Sequence, residues 1–214
     1  MKKTALVIGA TGATGSDLVS LLLEEEEFDK VHIFVRRDPC VHHEKLEIHI
    51  IDFDKLEEWK DLLKGDVLFS TLGTTIKKAG SQQAQWKIDY TYQYEVARAA
   101  KANGVDVMCL VSSAWSTSKS RMFYTRMKGQ LEDDVKKIGF RSLSIMRPPS
   151  LIRKDSDRFG ERISVSLLKA LNNLGVLRDI RPMPTSQVAH AMIVMAKQNK
   201  DGAFTLNPTD LWKL

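Results

Sequence analysis

An α/β fold with one parallel sheet, doubly wound by helices, is what this sequence predicts, and three observations predict it. Short apolar runs of strand length recur along the chain. Longer stretches between them repeat their apolar residues at helical spacing. A glycine-rich turn joins the first apolar run to the first helical stretch. Strands alternating with amphipathic helices make an open parallel sheet covered on both faces.

The elements follow in order. Ala5-Leu6-Val7-Ile8 is apolar on both faces and ends in glycine, the pattern of a buried parallel strand. Leu18, Val19, Leu22 and Leu23 recur at helical spacing, and Glu24 to Glu27 close that helix with a solvated acidic run. Residues 31–35, 46–51 and 67–70 are predicted as the second, third and fourth strands. A long helix follows with Ile88, Tyr92, Val96 and Ala99 expected on one face, and Asn103-Gly104 stops it. Residues 106–111 make a fifth strand, 123–138 a helix ended by Gly139, and 141–146 a sixth strand stopped by Pro148-Pro149. Beyond Pro148 the pattern becomes helical. Ile163, Leu167, Ala170 and Leu171 mark one helix over about 160–174, and another starts near Thr185 with Val188, Ala191, Met192 and Met195.

Composition narrows the classes. The chain has 214 residues, the length of one domain. Apolar residues at 43% and charged residues at 28% are globular values, so disorder is not expected. The net charge of +5 comes from basic pairs scattered along the chain, not from a stripe, so no nucleic-acid partner is expected. No apolar run reaches the ~20 residues that span a bilayer, so no membrane partner is expected. Met1 to Leu6 resembles the start of a bacterial export signal, but the apolar stretch Ala5 to Ile8 is shorter than the ~7–15 residues of such a signal. A cytoplasmic protein is the expectation. Two cysteines, Cys40 and Cys109, make neither a disulfide framework nor a four-cysteine zinc site.

Gly9-Ala10-Thr11-Gly12-Ala13-Thr14-Gly15 lies between the first strand and the first helix. Glycines there allow a tight turn and close approach of backbone to a pyrophosphate, and the helix start offers unpaired N–H groups. Gly9, Thr11, Gly12, Ala13, Thr14 and Gly15 are therefore candidate nucleotide contacts in a Rossmann arrangement. The end of the second strand reads cofactor type. Arginine there suits the 2′-phosphate of NADP, and an acidic residue suits the ribose of NAD. Arg36 and Arg37 point to NADP(H), while Asp38 directly after them leaves NAD(H) open.

Tyr124 and Lys128 stand four apart on the helix over 123–138, about 40° apart around its axis. Met127, Leu131, Val135 and Ile138 share that sector, so Lys128 is expected to be buried with a polar partner. A neighbouring ammonium favours a phenolate, which suits proton exchange. The fifth strand ends in Ser112-Ser113, whose hydroxyls could meet a substrate oxygen. Ser113 is favoured over Ser112, and strand register decides between them.

The Gly-x-x-Gly-x-x-Gly spacing and the ordered serine, tyrosine and lysine resemble the short-chain dehydrogenase/reductase superfamily, as an atypical member near its extended and NmrA-like branches. Leu72-Gly73-Thr74-Thr75, Lys78-Ala79-Gly80, Lys87-Ile88-Asp89-Tyr90, Val111-Ser112-Ser113, Tyr124 to Gly129 and Arg147-Pro148 resemble the oxidoreductase group named after the Tat-interactive protein, over the chain to about Asn207. The resemblance implies an NADPH-binding Rossmann-like domain with Ser113, Tyr124 and Lys128 as the catalytic set. It implies that Asp52 and Phe53 meet the adenine and that Leu72, Gly73 and Thr74 pass the adenosine ribose. It further implies that Ser112, Tyr124, Lys128, Pro148, Ser150 and Leu151 join the nicotinamide side. Many relatives carry an asparagine as a fourth catalytic member. Asp89 stands near that place, which puts the usual proton relay in doubt. Trp115 and Ile152 are expected to line the substrate side.

No metal site is expected. His42-His43 is an adjacent pair in a polar loop, and His32 and His49 lie in strand patterns as packing or surface residues. His190 is a weak pocket candidate. Residues 1–214 are thus expected to form a single NAD(P)-binding domain, its part from about 149 making a small α-rich extension on the substrate side. The expected function is an NADP(H)-dependent oxidoreductase acting on a small carbonyl or alcohol compound. The alternatives are an NADP(H)-binding regulator or redox sensor without turnover, and an NAD-dependent epimerase or dehydratase. The partner is a small-molecule substrate, and the helices flanking the sheet leave a homo-oligomer open.

Overall fold

The apolar runs pair edge to edge. The computed structural model describes residues 2–152 and 181–214. Its first half alternates β1 (Lys3–Ile8), α1 (Ala13–Glu24), β2 (Phe28–Val35), β3 (Leu46–Ile50), a short α2 (Leu56–Trp59) and β4 (Val67–Ser70). Then come α3 (Ile76–Ala79), α4 (Gln82–Trp86), a π-helical turn (Lys87–Thr91) and α5 (Tyr92–Ala102). The chain continues through β5 (Val107–Val111), α6 (Phe123–Ile138), β6 (Ser142–Met146) and β7 (Leu151–Ile152). After the gap lie β8 (Met183–Pro184), α7 (Thr185–Gln198), β9 (Gly202–Leu206) and α8 (Pro208–Leu211).

Seven strands make one parallel sheet in the order β3-β2-β1-β4-β5-β6-β9, and β7 pairs with β8 beside it. The order reverses between β1 and β4, and a doubly wound sheet opens its crevice there, beyond the carboxyl ends of the strands. Alternation divides the core. Ala5 and Val7 face α1 and α7 with Leu18, Leu22, Phe69 and Met192. Leu6 and Ile8 face α5 and α6 with Val96, Leu110, Leu131 and Ile145.

Two expectations change in detail, at the seventh strand and at the helix after β4. The seventh strand, β9, has no apolar run of its own. It lies at the sheet edge with its first residues exposed, so its sequence carries no burial signal. The helix expected with Ile88, Tyr92, Val96 and Ala99 on one face contains a π turn, which shifts that face. The row it buries is Gln85, Asp89, Gln93, Val96, Ala97 and Ala100, and Ile88 and Tyr92 turn to the cleft. The helix from Thr185 packs on α1, where Thr185 Oγ1 donates to the Asp17 carboxylate at 2.7 Å. The helix expected over about 160–174 lies outside the described residues.

Candidate functional site

Backbone and space build the first part of the site. Gly9 leaves β1 with φ +83°, where a side chain is strained. A Cβ on Gly9 would fall 2.6 Å from the Leu72 backbone nitrogen, and one on Gly15 would fall 2.1 Å from the Gly9 carbonyl oxygen. These two glycines therefore let the β1–α1 turn close against itself and against the end of β4. The Gly12 N–H donates to the Gly9 carbonyl at 2.9 Å and the Ser16 N–H to the Gly12 carbonyl at 2.8 Å, so the turn runs straight into α1. A Cβ on Gly12 would meet only the Gly9 oxygen, at 3.2 Å. Open space thus lies over the helix start, whose first N–H groups lack intrahelical partners. Thr14 and Gly15 point inward and are buried, Ala13 is half-buried, and Thr11 is exposed.

A cleft of about 480 Å³ opens over this turn. Its lining brings together Gly9, Thr11, Gly12, Arg36, Phe53, Leu72, Gly73 and Thr74 from the expected set. Lys78, Thr71, Ile88 and Tyr92 join them, contacts the sequence reading did not assign. The Phe53 and Tyr92 rings lie 5.2 Å apart and stack. Thr71 Oγ1 donates to the Ile8 carbonyl at 2.9 Å and ties β4 to β1. Arg37 is exposed and Asp52 turns to a local task. Its Oδ1 accepts from the Asp54 N–H at 2.9 Å and its carbonyl from the Trp59 indole N–H at 2.8 Å. Asp38 likewise accepts from the Cys40 N–H at 2.8 Å. These residues fit a dinucleotide: a cradle without side chains over Gly12, two cations (Arg36 and Lys78) for phosphate charge, and an aromatic wall for a base.

Buried charge builds the second part. Lys128 is 2% exposed, and its ammonium lies 3.3 Å from Asp89 Oδ1. Asp89 Oδ2 accepts from the Thr74 N–H at 2.8 Å, which joins this ion pair to the cleft wall. Gln85 Nε2 donates to the Thr74 carbonyl at 3.0 Å, and Gln93 Nε2 to the Asp89 carbonyl at 2.6 Å. Burial pushes the Asp89 carboxyl above the usual carboxylate range, and the Lys128 ammonium and the Thr74 N–H pull against that rise. Tyr124, one turn before Lys128, is 40% exposed.

Register separates the two serines. Ser112 is buried, and its hydroxyl donates to Glu132 Oε1 at 2.5 Å. Glu132, 1% exposed on α6, receives Arg147 in a two-pronged pair, Nε to Oε1 at 3.0 Å and Nη2 to Oε2 at 2.5 Å. This network bolts the ends of β5 and β6 to α6. Ser113 is half-buried, its carbonyl taken by the Ser116 hydroxyl at 2.7 Å. Trp115 follows at φ +58° and 62% exposed, a conformation that costs a bulky residue on the order of 1–3 kcal/mol. A Cβ on Gly129 would fall 2.1 Å from the Thr117 carbonyl carbon, so α6 lies directly on this loop. Pro148 is buried, with its carbonyl accepting from the Ala114 N–H at 2.9 Å. The Ser150 carbonyl accepts from the Met183 N–H at 2.9 Å, and Leu151 is half-buried in β7. Of the expected cofactor and catalytic set, Ala13, Thr14, Gly15, Arg37, Asp52, Ser112, Ser113, Tyr124, Lys128, Pro148, Ser150 and Leu151 are not among the cleft lining, nor are Trp115 and Ile152 of the expected substrate side. His190 is exposed on α7.

Besides those cleft contacts, the buried polar side chains the sequence reading missed include Glu132, Gln85 and Gln93. Each was a polar residue on a helix whose face was judged by its apolar neighbours. A polar residue at a core position of the 3.6 period was the signal available.

Comparison with known proteins comes down to one family. A family model described as NAD(P)H-binding matches residues 9–193. The Candida albicans protein named "Protein FMP52, mitochondrial" is 31% identical over 223 aligned positions, which cover 99% of this chain and 97% of that protein. The Saccharomyces cerevisiae protein of the same name is 35% identical over 171 residues, 76% of this chain and 73% of that one. Among solved structures, MoeE5 in complex with UDP-glucose and NAD superposes with a TM-score of 0.71 at 19% identity, over 95% of this chain and 75% of that one. The dTDP-4-dehydrorhamnose reductase of Bacillus anthracis in complex with NADP gives 0.68 at 15%, over 97% and 75%. A short chain dehydrogenase family protein of Francisella tularensis gives 0.65 at 15%, over 98% and 99%. The expected NAD(P)-binding Rossmann-type fold is borne out, and a short chain dehydrogenase family protein is among the structures that share it. The cytoplasmic expectation is overturned, because relatives from three yeasts are named as mitochondrial. That expectation rested on discounting a bacterial export signal, which does not discriminate among compartments within a cell.

Proposed function

The chain belongs to the NAD(P)H-binding family, and from that premise we propose that it is an NADP(H)-dependent oxidoreductase of the atypical short-chain dehydrogenase type. Its substrate is a small carbonyl or alcohol compound, and its place of action is the mitochondrion, where its relatives' names put them. The observation that carries this reading is a lysine buried beneath the cleft wall, one helical turn from an exposed tyrosine. Burying an ammonium is costly unless its charge is used or paired.

In the reducing direction a bound nicotinamide would supply hydride chemistry for a carbonyl carbon, and the chain's own residues would hold and orient the reacting groups. Tyr124 gives its phenolic proton to the substrate oxygen, and the Ser113 hydroxyl donates a hydrogen bond to that same oxygen. Ser112 holds the β5 end through Glu132, which supports Ser113 as the serine that meets substrate. Lys128, one helical turn after Tyr124 and paired with Asp89, would hold the nicotinamide ribose. Preference for NADP(H) is supported by Arg36 in the cleft lining and by Asp38, whose carboxylate already serves the Cys40 N–H. Lys78 adds a second cation to the same cleft.

Calorimetric titration with NADPH and NADH tests the cofactor half. NADPH is expected to bind tighter, and Arg36→Ala/Arg37→Ala to lower NADPH affinity by about 10-fold or more, the worth of a charge-assisted hydrogen bond. Tighter NADH binding overturns it. A carbonyl substrate screen with Tyr124→Phe as control tests the chemistry. A second reading, an NADP(H)-binding regulator without turnover, is favoured by one observation: a carboxylate, Asp89, neutralises Lys128 where the resemblance implies asparagine. NADPH binding with no turnover in that screen selects it.

A further inference from the structure

Two histidines that the sequence reading set aside meet at the sheet edge. In the parallel β2–β3 ladder His32 lies opposite Glu47, and Phe34 lies opposite His49. Period-two alternation puts His32, Phe34, Glu47 and His49 on one face of the sheet. There His32 Nδ1 stands 3.0 Å from His49 Nε2. Glu47 reaches both rings, with Oε1 at 3.4 Å from His49 Nε2 and Oε2 at 3.6 Å from His32 Nε2. Both imidazoles are largely buried, while the carboxylate faces solvent.

We propose that His32, His49 and Glu47 form a site for a divalent transition metal ion of the zinc class, separate from the nucleotide cleft. Two imidazoles and a carboxylate are a donor set that zinc takes with a fourth position open. Ligand atoms at about 2.0–2.1 Å from one tetrahedral ion stand about 3.3 Å apart. One atom from each of the three side chains falls within 4.8 Å of the other two, and the two separations named first are 3.0 and 3.4 Å. Binding one ion therefore requires the rings to part slightly and the Glu47 carboxylate to close on the His32 nitrogen that faces His49. The ion takes the place of the hydrogen bond between the rings, so each imidazole binds by a lone pair and the displaced proton moves to its other nitrogen.

Two features pre-organise the donors. The His49 ring lies 17° from the plane of Phe34, centroids 4.9 Å apart, and Phe34 packs in turn on Trp59. The ladder itself sets the spacing between His32 and His49. The site clamps the edge strand β3 to β2, just before the loops that carry Arg36 and Phe53.

Tag-free protein, stripped with chelator and desalted, is titrated with zinc chloride by calorimetry, and its thermal midpoint is followed with and without zinc. One zinc per chain at micromolar affinity is expected, with a zinc-dependent rise in the midpoint. His32→Gln and His49→Gln are expected to weaken binding at least about 10-fold each and to abolish the rise. Glu47→Gln replaces a solvent-facing side chain, so it tests the site without disturbing the core. It is expected to weaken binding severalfold. His42→Ala/His43→Ala is expected to change nothing. Cobalt added to the same protein is expected to give the intense visible bands of a tetrahedral site. Absence of zinc binding by the wild type overturns the proposal. So does binding that survives Glu47→Gln and both glutamine variants, or that is lost with His42 and His43.

Discussion

At the β1–α1 end the cleft is made of backbone and empty space, whereas the β5–α6 end of the sheet, joined to the cleft wall through Asp89 and Thr74, is held by buried charge. The first end depends on atoms that are missing: Gly9, Gly12 and Gly15 leave room for the turn and for a ligand. The second depends on atoms that must be present and paired: Asp89 with Lys128, and Glu132 with Arg147 and Ser112. The two ends respond differently to substitution. A side chain added at Gly9 or Gly15 collides with backbone that cannot yield. A side chain removed at the second leaves a charge without its partner.

The largest effect is expected from Glu132→Ala. Breaking a buried pair leaves Arg147 and the Ser112 hydroxyl without their acceptor, at a cost of about 3–5 kcal/mol. Urea unfolding measures it, and a loss under about 1 kcal/mol would mean that the network is not what holds α6 to the sheet. Gly15→Ala comes next. Its new carbon would fall 2.1 Å from the Gly9 oxygen, and overpacking of that kind costs about 1–3 kcal/mol or more. Gly12→Ala sharpens the contrast, since its carbon meets one atom at 3.2 Å. Stability is expected to stay within about 1 kcal/mol, while NADPH affinity falls because the cradle is filled. If both glycine variants lose stability equally, the first end is not a cradle.

Asp89→Asn probes the joint between the ends. An amide oxygen can still accept from the Thr74 N–H, but Lys128 loses its counter-charge. The sign with pH follows from burial, which raises the Asp89 carboxyl in the folded state. The folded protein holds that proton more tightly than the unfolded chain. The stabilisation is full below the unfolded carboxyl value and is lost as pH rises through the folded one. Wild type is therefore expected to gain stability relative to Asp89→Asn as pH falls from 7 toward 4, in paired unfolding curves. The smallest effect needs no mutation. Burial pushes the Cys109 thiol up to about 12, and Cys40 is exposed. One thiol is expected to react with a maleimide in native protein at pH 8, and two in denaturant.

The same contrast explains what could be read in advance. Glycines in the first turn are local: strand, turn and helix follow within fifteen residues, and their spacing is the signal. Arg36 was legible for the same reason, as the residue after β2. Lys128 was legible as a cation in an apolar sector of α6, and its burial follows. Its partner was only half-legible, because the π turn at Lys87–Thr91 rotates the face that helical counting assigns. Glu132 was not legible, since its partner Arg147 lies fifteen residues away, beyond the end of α6.

By itself the sequence determined the alternation of strands and helices, the glycine turn, the Tyr124–Lys128 spacing and the tandem arginines. All of these are written in neighbouring residues and in periods of two or 3.6. Tertiary structure alone decided that the Ser112 hydroxyl is locked onto Glu132, since that depends on how α6 packs against the end of β5. It decided that Asp89 meets Lys128 and that His32 meets His49 across a ladder. Contacts between distant segments depend on strand order and helix phase, and no local pattern encodes either.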